Sequence, residues 1–257
     1  MSRVIAIANQ KGGVGKTTTA VNLSACIAQA GKRVLLIDID PQGNTTSGFG
    51  VNKDSLKSSI YDVLINGEKI ETVLTKTMFK TLKLCPANID LAGAEIEMVM
   101  FPQRENMLKK ALAGCRSAFD LVFIDCPPSL SLLTLNALTA ADSVIMPIQC
   151  EYYALEGVGQ LVRTVNLVQR NFNPQLEIEG VVLTMFDSRT NLSVQVVDEI
   201  KRHFRGMVYP AFIPRNVKLG EAPSHGLPII LYDSQSKGAG AYTDLADEVL
   251  ERISTRN

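Results

Sequence analysis

Three glycines, two lysines and two threonines stand within eight residues, Lys11-Gly12-Gly13-Val14-Gly15-Lys16-Thr17-Thr18, and that set suits the binding of an anion. Glycines let backbone N–H groups converge, a helix starting at the end of the loop adds the positive end of its dipole, and lysine adds a full charge. The spacing Gly15-Lys16-Thr17 is the closing half of GxxxxGK[ST], the loop that cradles nucleotide phosphates. Lys16 is then expected between the β- and γ-phosphates of ATP, and Thr17 is expected to place its hydroxyl on Mg2+. The opening glycine is missing, because Gln10 occupies that position. The pattern that fits instead is KGGxGK[ST], in which Lys11 opens the loop. A glycine-rich turn with incidental lysines is the competing reading, and the strand before and helix after argue against it.

Two apolar runs end in aspartate. Leu35-Leu36-Ile37-Asp38-Ile39-Asp40-Pro41 is one, and Leu121-Val122-Phe123-Ile124-Asp125-Cys126-Pro127-Pro128 is the other. A carboxylate closing a buried strand is costly unless paired or beside a cation, and Mg2+ supplies that cation. Asp125 is accordingly expected to hold Mg2+ through water. Asp38 and Asp40 alternate along their strand and start on opposite faces, so they need not share a role. A turn or cap role competes for each aspartate taken singly.

Short β-branched runs alternate with helix-period segments around these residues. Val4 to Ala8, Arg33 to Ile37, Leu82 to Pro86, Leu121 to Asp125, Ser143 to Ile148, Ile178 to Thr184 and Val208 to Ile213 read as strands. Thr17 to Ala30, Arg104 to Cys115, Leu130 to Ala140, Leu155 to Arg170, Ser193 to Phe204 and Ala239 to Ile253 read as helices. The fold class is therefore α/β, a mostly parallel sheet with helices on both faces, and the site belongs at the carboxyl ends of the strands. Gly43 to Lys80 reads as an insertion of loops and short helices over that edge. No linker divides the chain, so residues 1–257 are expected to form a single domain.

With 26 Lys+Arg against 26 Asp+Glu the formal net charge is zero, so nucleic-acid binding requires a local patch. Five scattered cysteines without a CxxC pair read as buried free thiols of a cytoplasmic protein. No apolar run is long enough to span a bilayer, and no membrane anchor is expected. Met98, Met100 and Phe101 read as packing residues, and Tyr152 and Tyr153 as groove or core residues beside the crevice.

KGGVGKTT, DIDPQGN, FIDCPPS, CEYYALEG, LTMFDSRTNL and IPRNVKLGEAPSHG together resemble the chromosome-partitioning ATPases of the ParA/Soj type, within the deviant Walker A group of P-loop proteins. The resemblance runs from Arg3 to about Val249. It implies an ATP-bound sandwich homodimer in which Lys11 reaches the partner subunit's phosphates, Lys16 acts in its own loop and Asp40 orients or activates the attacking water. It places Gly12, Gly13, Val14, Gly15, Lys16, Thr17 and Thr18 on ATP and Asp38 near the Mg2+ shell. The adenine pocket is implied around Met185, Pro214 and Asn216.

The same resemblance implies non-specific DNA binding by the dimer, association with the nucleoid, and stimulation of a slow basal hydrolysis by a ParB-type centromere-binding partner. From Arg189 to Lys237 the chain carries seven Lys+Arg against four Asp+Glu, and Arg189, Arg215, Lys218 and Lys237 are the expected DNA contacts. A solvated helix face is the competing reading for each basic residue. A membrane-bound relative of the MinD type should end in a basic amphipathic helix, and Asp244 to Asn257 is too acidic for one.

Overall fold

The computed structural model describes residues 2–151 and 154–256; Tyr152 and Tyr153 lie outside the described residues. Eight strands, β1 (Arg3–Ile7), β2 (Val34–Asp38), β3 (Thr75–Lys76), β4 (Leu82–Cys85), β5 (Leu121–Asp125), β6 (Ser143–Gln149), β7 (Glu177–Phe186) and β8 (Val208–Pro214), form one sheet in the order β3-β4-β2-β5-β1-β6-β7-β8. Every pairing is parallel except that of β3 with β4. All five residues of β2 and of β5 are buried, as strands covered on both faces require.

Twelve α-helical segments among the described residues cover the sheet: α1 (Lys16–Gln29), α2 (Asn44–Gly48), α3 (Ile60–Leu64), α4 (Ile70–Val73), α5 (Leu91–Glu97), α6 (Met107–Ala113), α7 (Leu132–Ala140), α8 (Ala154–Asn171), α9 (Asn191–His203), α10 (Val217–Glu221), α11 (Ile229–Tyr232) and α12 (Lys237–Arg256). Two apolar cores result. Residues of α3 to α9 pack with Val4, Leu35, Val122 and Val144 on one face, while α1, α10, α11 and α12 pack with Ile5, Leu36, Phe123 and Ile145 on the other. The alternation of neighbours such as Val4 and Ile5 between the cores follows from the two-residue period of a strand.

Local chemistry sets the helix ends. Thr190 caps α9 by accepting from the Ser193 amide, and Ser193, Val196, Val197 and Ile200 make its buried stripe. Ser59 and Asp62 form a reciprocal capping box at α3. Helix α1 is buried along most of its length between the sheet and α12, where Thr19 Oγ1 lies 3.2 Å from the Tyr242 hydroxyl.

The seven strands expected from the sequence are present, with ends shifted by a residue or so, and β3 is the addition. The Gly43 to Lys80 stretch holds α2, α3, α4 and β3. The helix expected over Arg104 to Cys115 is shorter, because residues 104–106 form a 3-10 turn and α6 ends at Ala113. Met98 is buried and Phe101 packs against the core, but Met100 is 83% exposed, contrary to its reading as a packing residue. The cause is a 3-10 turn over Met98–Met100, whose successive side chains point in different directions. All five cysteines are buried and free.

Candidate functional site

The glycine loop leaves the carboxyl end of β1, between β5 and β6, and enters α1 at Lys16. Gly13 and Gly15 have φ of +73° and +89°, values that glycine reaches without a Cβ penalty. The loop is pinned from both sides. Asn9 Nδ2 donates to the Pro147 carbonyl at 2.7 Å while Asn9 Oδ1 accepts from the Lys11 amide at 3.0 Å. Thr184 Oγ1 donates to the Val14 carbonyl at 2.8 Å, and Lys16 Nζ donates to the Lys11 carbonyl at 3.0 Å. Burial lowers the Lys16 pKa, against the opposing pull of Asp125 and Asp40.

The three aspartates converge on the same end of the sheet. Asp38 and Asp125 are register partners on β2 and β5, both fully buried. Asp125 Oδ2 accepts from the hydroxyls of Thr17 at 2.8 Å and Thr45 at 2.7 Å, whereas Asp125 Oδ1 is buried and has no partner among the described residues. Both Asp38 oxygens are in use: Oδ1 accepts from the Asp40 amide at 3.2 Å, and Oδ2 from the amide and hydroxyl of Thr46 at 2.8 and 2.7 Å. Asp38 therefore shapes the chain that carries Asp40, and Asp125 supplies the open oxygen. Burial pushes the Asp38 carboxyl up to about 6, and burial with the charge of Asp38 pushes Asp125 up to about 8. Asp40, 7% exposed, accepts from the Gln42 amide through Oδ1 at 2.9 Å.

These residues suit a divalent cation. An orphaned buried carboxylate oxygen beside a threonine hydroxyl is a donor pair of the hard-oxygen kind that Mg2+ takes. No cluster of three His, Cys, Asp or Glu able to hold a metal occurs among the described residues. A cation here would accordingly depend on substrate oxygens as well, the usual arrangement for Mg2+ beside phosphates. Thr45 and Thr46 went unremarked in the sequence; the only signal was their place in the Asn44-Thr45-Thr46-Ser47 run just after the Asp38 to Gly43 segment.

A cavity of about 270 Å3 opens beside the loop, lined by Gly15, Thr18, Met185, Pro214 and Asn216 among others. The structure thus brings together the loop and the three residues implied for a base. Met185 has φ of +52°, an uncommon conformation for a non-glycine residue and one that concentrates at binding sites.

The four basic candidates are exposed but do not form a bare cationic face. Arg189 makes two bonds to the Asp187 carboxylate, at 2.9 and 2.7 Å. Arg215 lies 3.3 Å from Glu151, and Lys218 lies 3.0 Å from Glu221. Lys237 has no ion-pair partner among the described residues, and it stands at the start of α12 beside α10, where Gly238 lies close against Leu219.

A family model described as an AAA domain matches residues 2–178. The sporulation initiation inhibitor protein Soj of Bacillus subtilis is 59% identical over 249 residues, covering 97% of this chain and 98% of that protein. The chromosome partitioning protein ParA of Myxococcus xanthus is 52% identical, with 98% and 89% covered. The chain belongs to the ParA/Soj chromosome-partitioning family. Among solved structures, the cobyrinic acid a,c-diamide synthase of Mycobacterium smegmatis, with bound ATP analogue and magnesium, superposes on this ParA/Soj member with a TM-score of 0.88 at 43% identity, covering 100% of this chain and 98% of the other. No helix among the described residues is long and apolar enough to cross a membrane.

Proposed function

We propose that this ParA/Soj member is an ATP hydrolase that acts as one unit in chromosome partitioning, pairing with a second copy when ATP is bound. The observation that carries the reading is the meeting of Lys16, Thr17 and the orphaned Asp125 Oδ1 at the mouth of a glycine loop. The loop amides of residues 12–18 and Lys16 bind the phosphates, and the cavity at Met185, Pro214 and Asn216 takes the adenine. Thr17, and Asp125 through water, would hold Mg2+, which when bound would neutralise charge on the phosphate oxygens.

Asp38 and Thr46 hold the backbone that presents Asp40. With one Asp40 oxygen fixed by the Gln42 amide, the other accepts a hydrogen bond from the attacking water and orients it. Lys11, partly exposed at the loop's outer edge, reaches the phosphates of the second copy. Basic residues of the paired chains bind DNA without sequence preference, which places the protein on the nucleoid in the cytoplasm, and a ParB-type partner raises turnover by supplying positive charge to the transition state. The M. smegmatis structure with an ATP analogue and magnesium supports the choice of ATP and Mg2+.

ATP turnover by the purified chain alone, with DNA, with a ParB-type protein and with both tests this reading. Slow basal turnover rising strongly with both is the expected result. Turnover indifferent to DNA and to the partner would reject it.

A further inference from the structure

The side chain of Lys11 is held by a carboxylate of its own chain. Glu151 follows β6, the neighbour of β1, and so stands beside the glycine loop. Its Oε2 lies 4.0 Å from Lys11 Nζ, and its Oε1 accepts from Arg215 Nη2 at 3.3 Å and from Gln149 Nε2. One carboxylate thus sits between two cations from different elements, the loop lysine and an arginine lining the adjoining cavity. The Lys11 main chain has no freedom to speak of, with its amide bonded to Asn9 and its carbonyl to Lys16. Only its side chain can change direction, and Glu151 is its one carboxylate partner among the described residues.

We infer that Glu151 is a positioning residue for Lys11, retaining its ammonium in the single nucleotide-free chain and releasing it when phosphates of a second copy compete. This rests on the reading of Lys11 as a contact across the pair. The strength suits the task. At 4.0 Å, with side chains 36% and 46% exposed, the pair is of the weak surface kind, and a polyphosphate carrying several negative charges displaces one carboxylate. A buried pair would resist exchange. Arg215 shares the same carboxylate, so Glu151 keeps a cationic partner when Lys11 leaves.

The test uses the full chain and its Glu151→Gln, Lys11→Ala and double variants. Light scattering across an ATP titration gives the concentration for half-maximal pairing. Glu151→Gln should lower it by about two- to five-fold at low salt, the span of a surface ion pair, and the difference should vanish at high salt. In the Lys11→Ala background the Glu151→Gln change should restore no pairing, so that the gain requires the lysine. An unchanged or raised ATP requirement in Glu151→Gln, with Lys11→Ala still unable to pair, overturns the inference and leaves the proposed function standing. Normal pairing by Lys11→Ala overturns both.

Discussion

Asp38 and Asp125 stand as register partners at the ends of adjacent parallel strands, both fully buried, and of the two only Asp125 keeps an oxygen without a donor among the described residues. The fold has therefore placed two carboxyls where neither ionises easily. Burial raises both pKa values, to about 6 and about 8, and the charge of Asp38 adds to the rise at Asp125.

A pH dependence follows. Both groups bind protons more tightly folded than unfolded, where a carboxyl titrates near about 4, so folding takes up protons between that value and about 8. Stability of the nucleotide-free chain is fully present below that window and falls as pH rises through about 6 and then about 8. Asp120 and Asp187, drawn down to about 2 by Arg33 and Arg189, act with the opposite sign at lower pH and leave this window untouched. Urea denaturation from about pH 5.5 to about pH 8.5 reads the slope, which Asp125→Asn should flatten and Mg2+ with nucleotide should reduce. A slope identical in Asp125→Asn would remove Asp125 as its source.

Lys16→Ala should abolish productive ATP binding with the fold retained. Lys16 is the buried cation at the loop mouth, against which each amide offers a partial charge. Its loss also frees the Lys11 carbonyl, a single hydrogen bond worth about 1 kcal/mol, so the melting temperature should move by only a few degrees. Equilibrium binding of labelled ATP decides the matter, and wild-type affinity would defeat the loop assignment.

How far the sequence displayed this site depends on the range of each constraint. The loop was legible because its glycines, lysines and following helix act within a few residues, and the aspartates because apolar strands ending in a charge are conspicuous. Thr45 was not, since its bond to Asp125 spans 80 residues and nothing local marks it. Nor was the contact of Glu151 with Arg215, 64 residues apart. Among elements, β3 is two residues on an edge and α10 and α11 are single turns, too short for a period to show; tertiary packing defines them.

Asp40→Ala and Lys11→Ala should fail in opposite ways. Removing Asp40 leaves Lys16, Thr17 and Asp125 in place but takes away the oxygen that orients water, so ATP accumulates on paired chains and turnover falls by about a hundredfold or more. Removing Lys11 takes away the contact across the pair and leaves ATP on single chains. Sizing with ATP present separates them; an unpaired Asp40→Ala protein would contradict this division of roles.

DNA binding should need ATP, ignore sequence and weaken steeply with salt, because each phosphate neutralised by Lys or Arg releases counterions. The structure adds a sign to the residue-level expectation. Both Asp187 oxygens engage the Arg189 fork, so a DNA phosphate must displace that carboxylate and also meets its repulsion. Asp187→Asn should consequently tighten binding to every duplex, while Arg189→Ala weakens it and lowers the salt slope by roughly one unit. Lys237, with no ion-pair partner among the described residues, should show the loss in Lys237→Ala without any compensating variant nearby. On the proposed reading these groups position the backbone and read no bases, so the changes should be alike for unrelated duplexes. Titrations of two such duplexes at several salt concentrations, with ATP and with ADP, give the answer: unchanged affinity in Asp187→Asn and Arg189→Ala would take the loop after β7 out of the DNA-binding surface, and equal binding in ADP would end the gating by ATP.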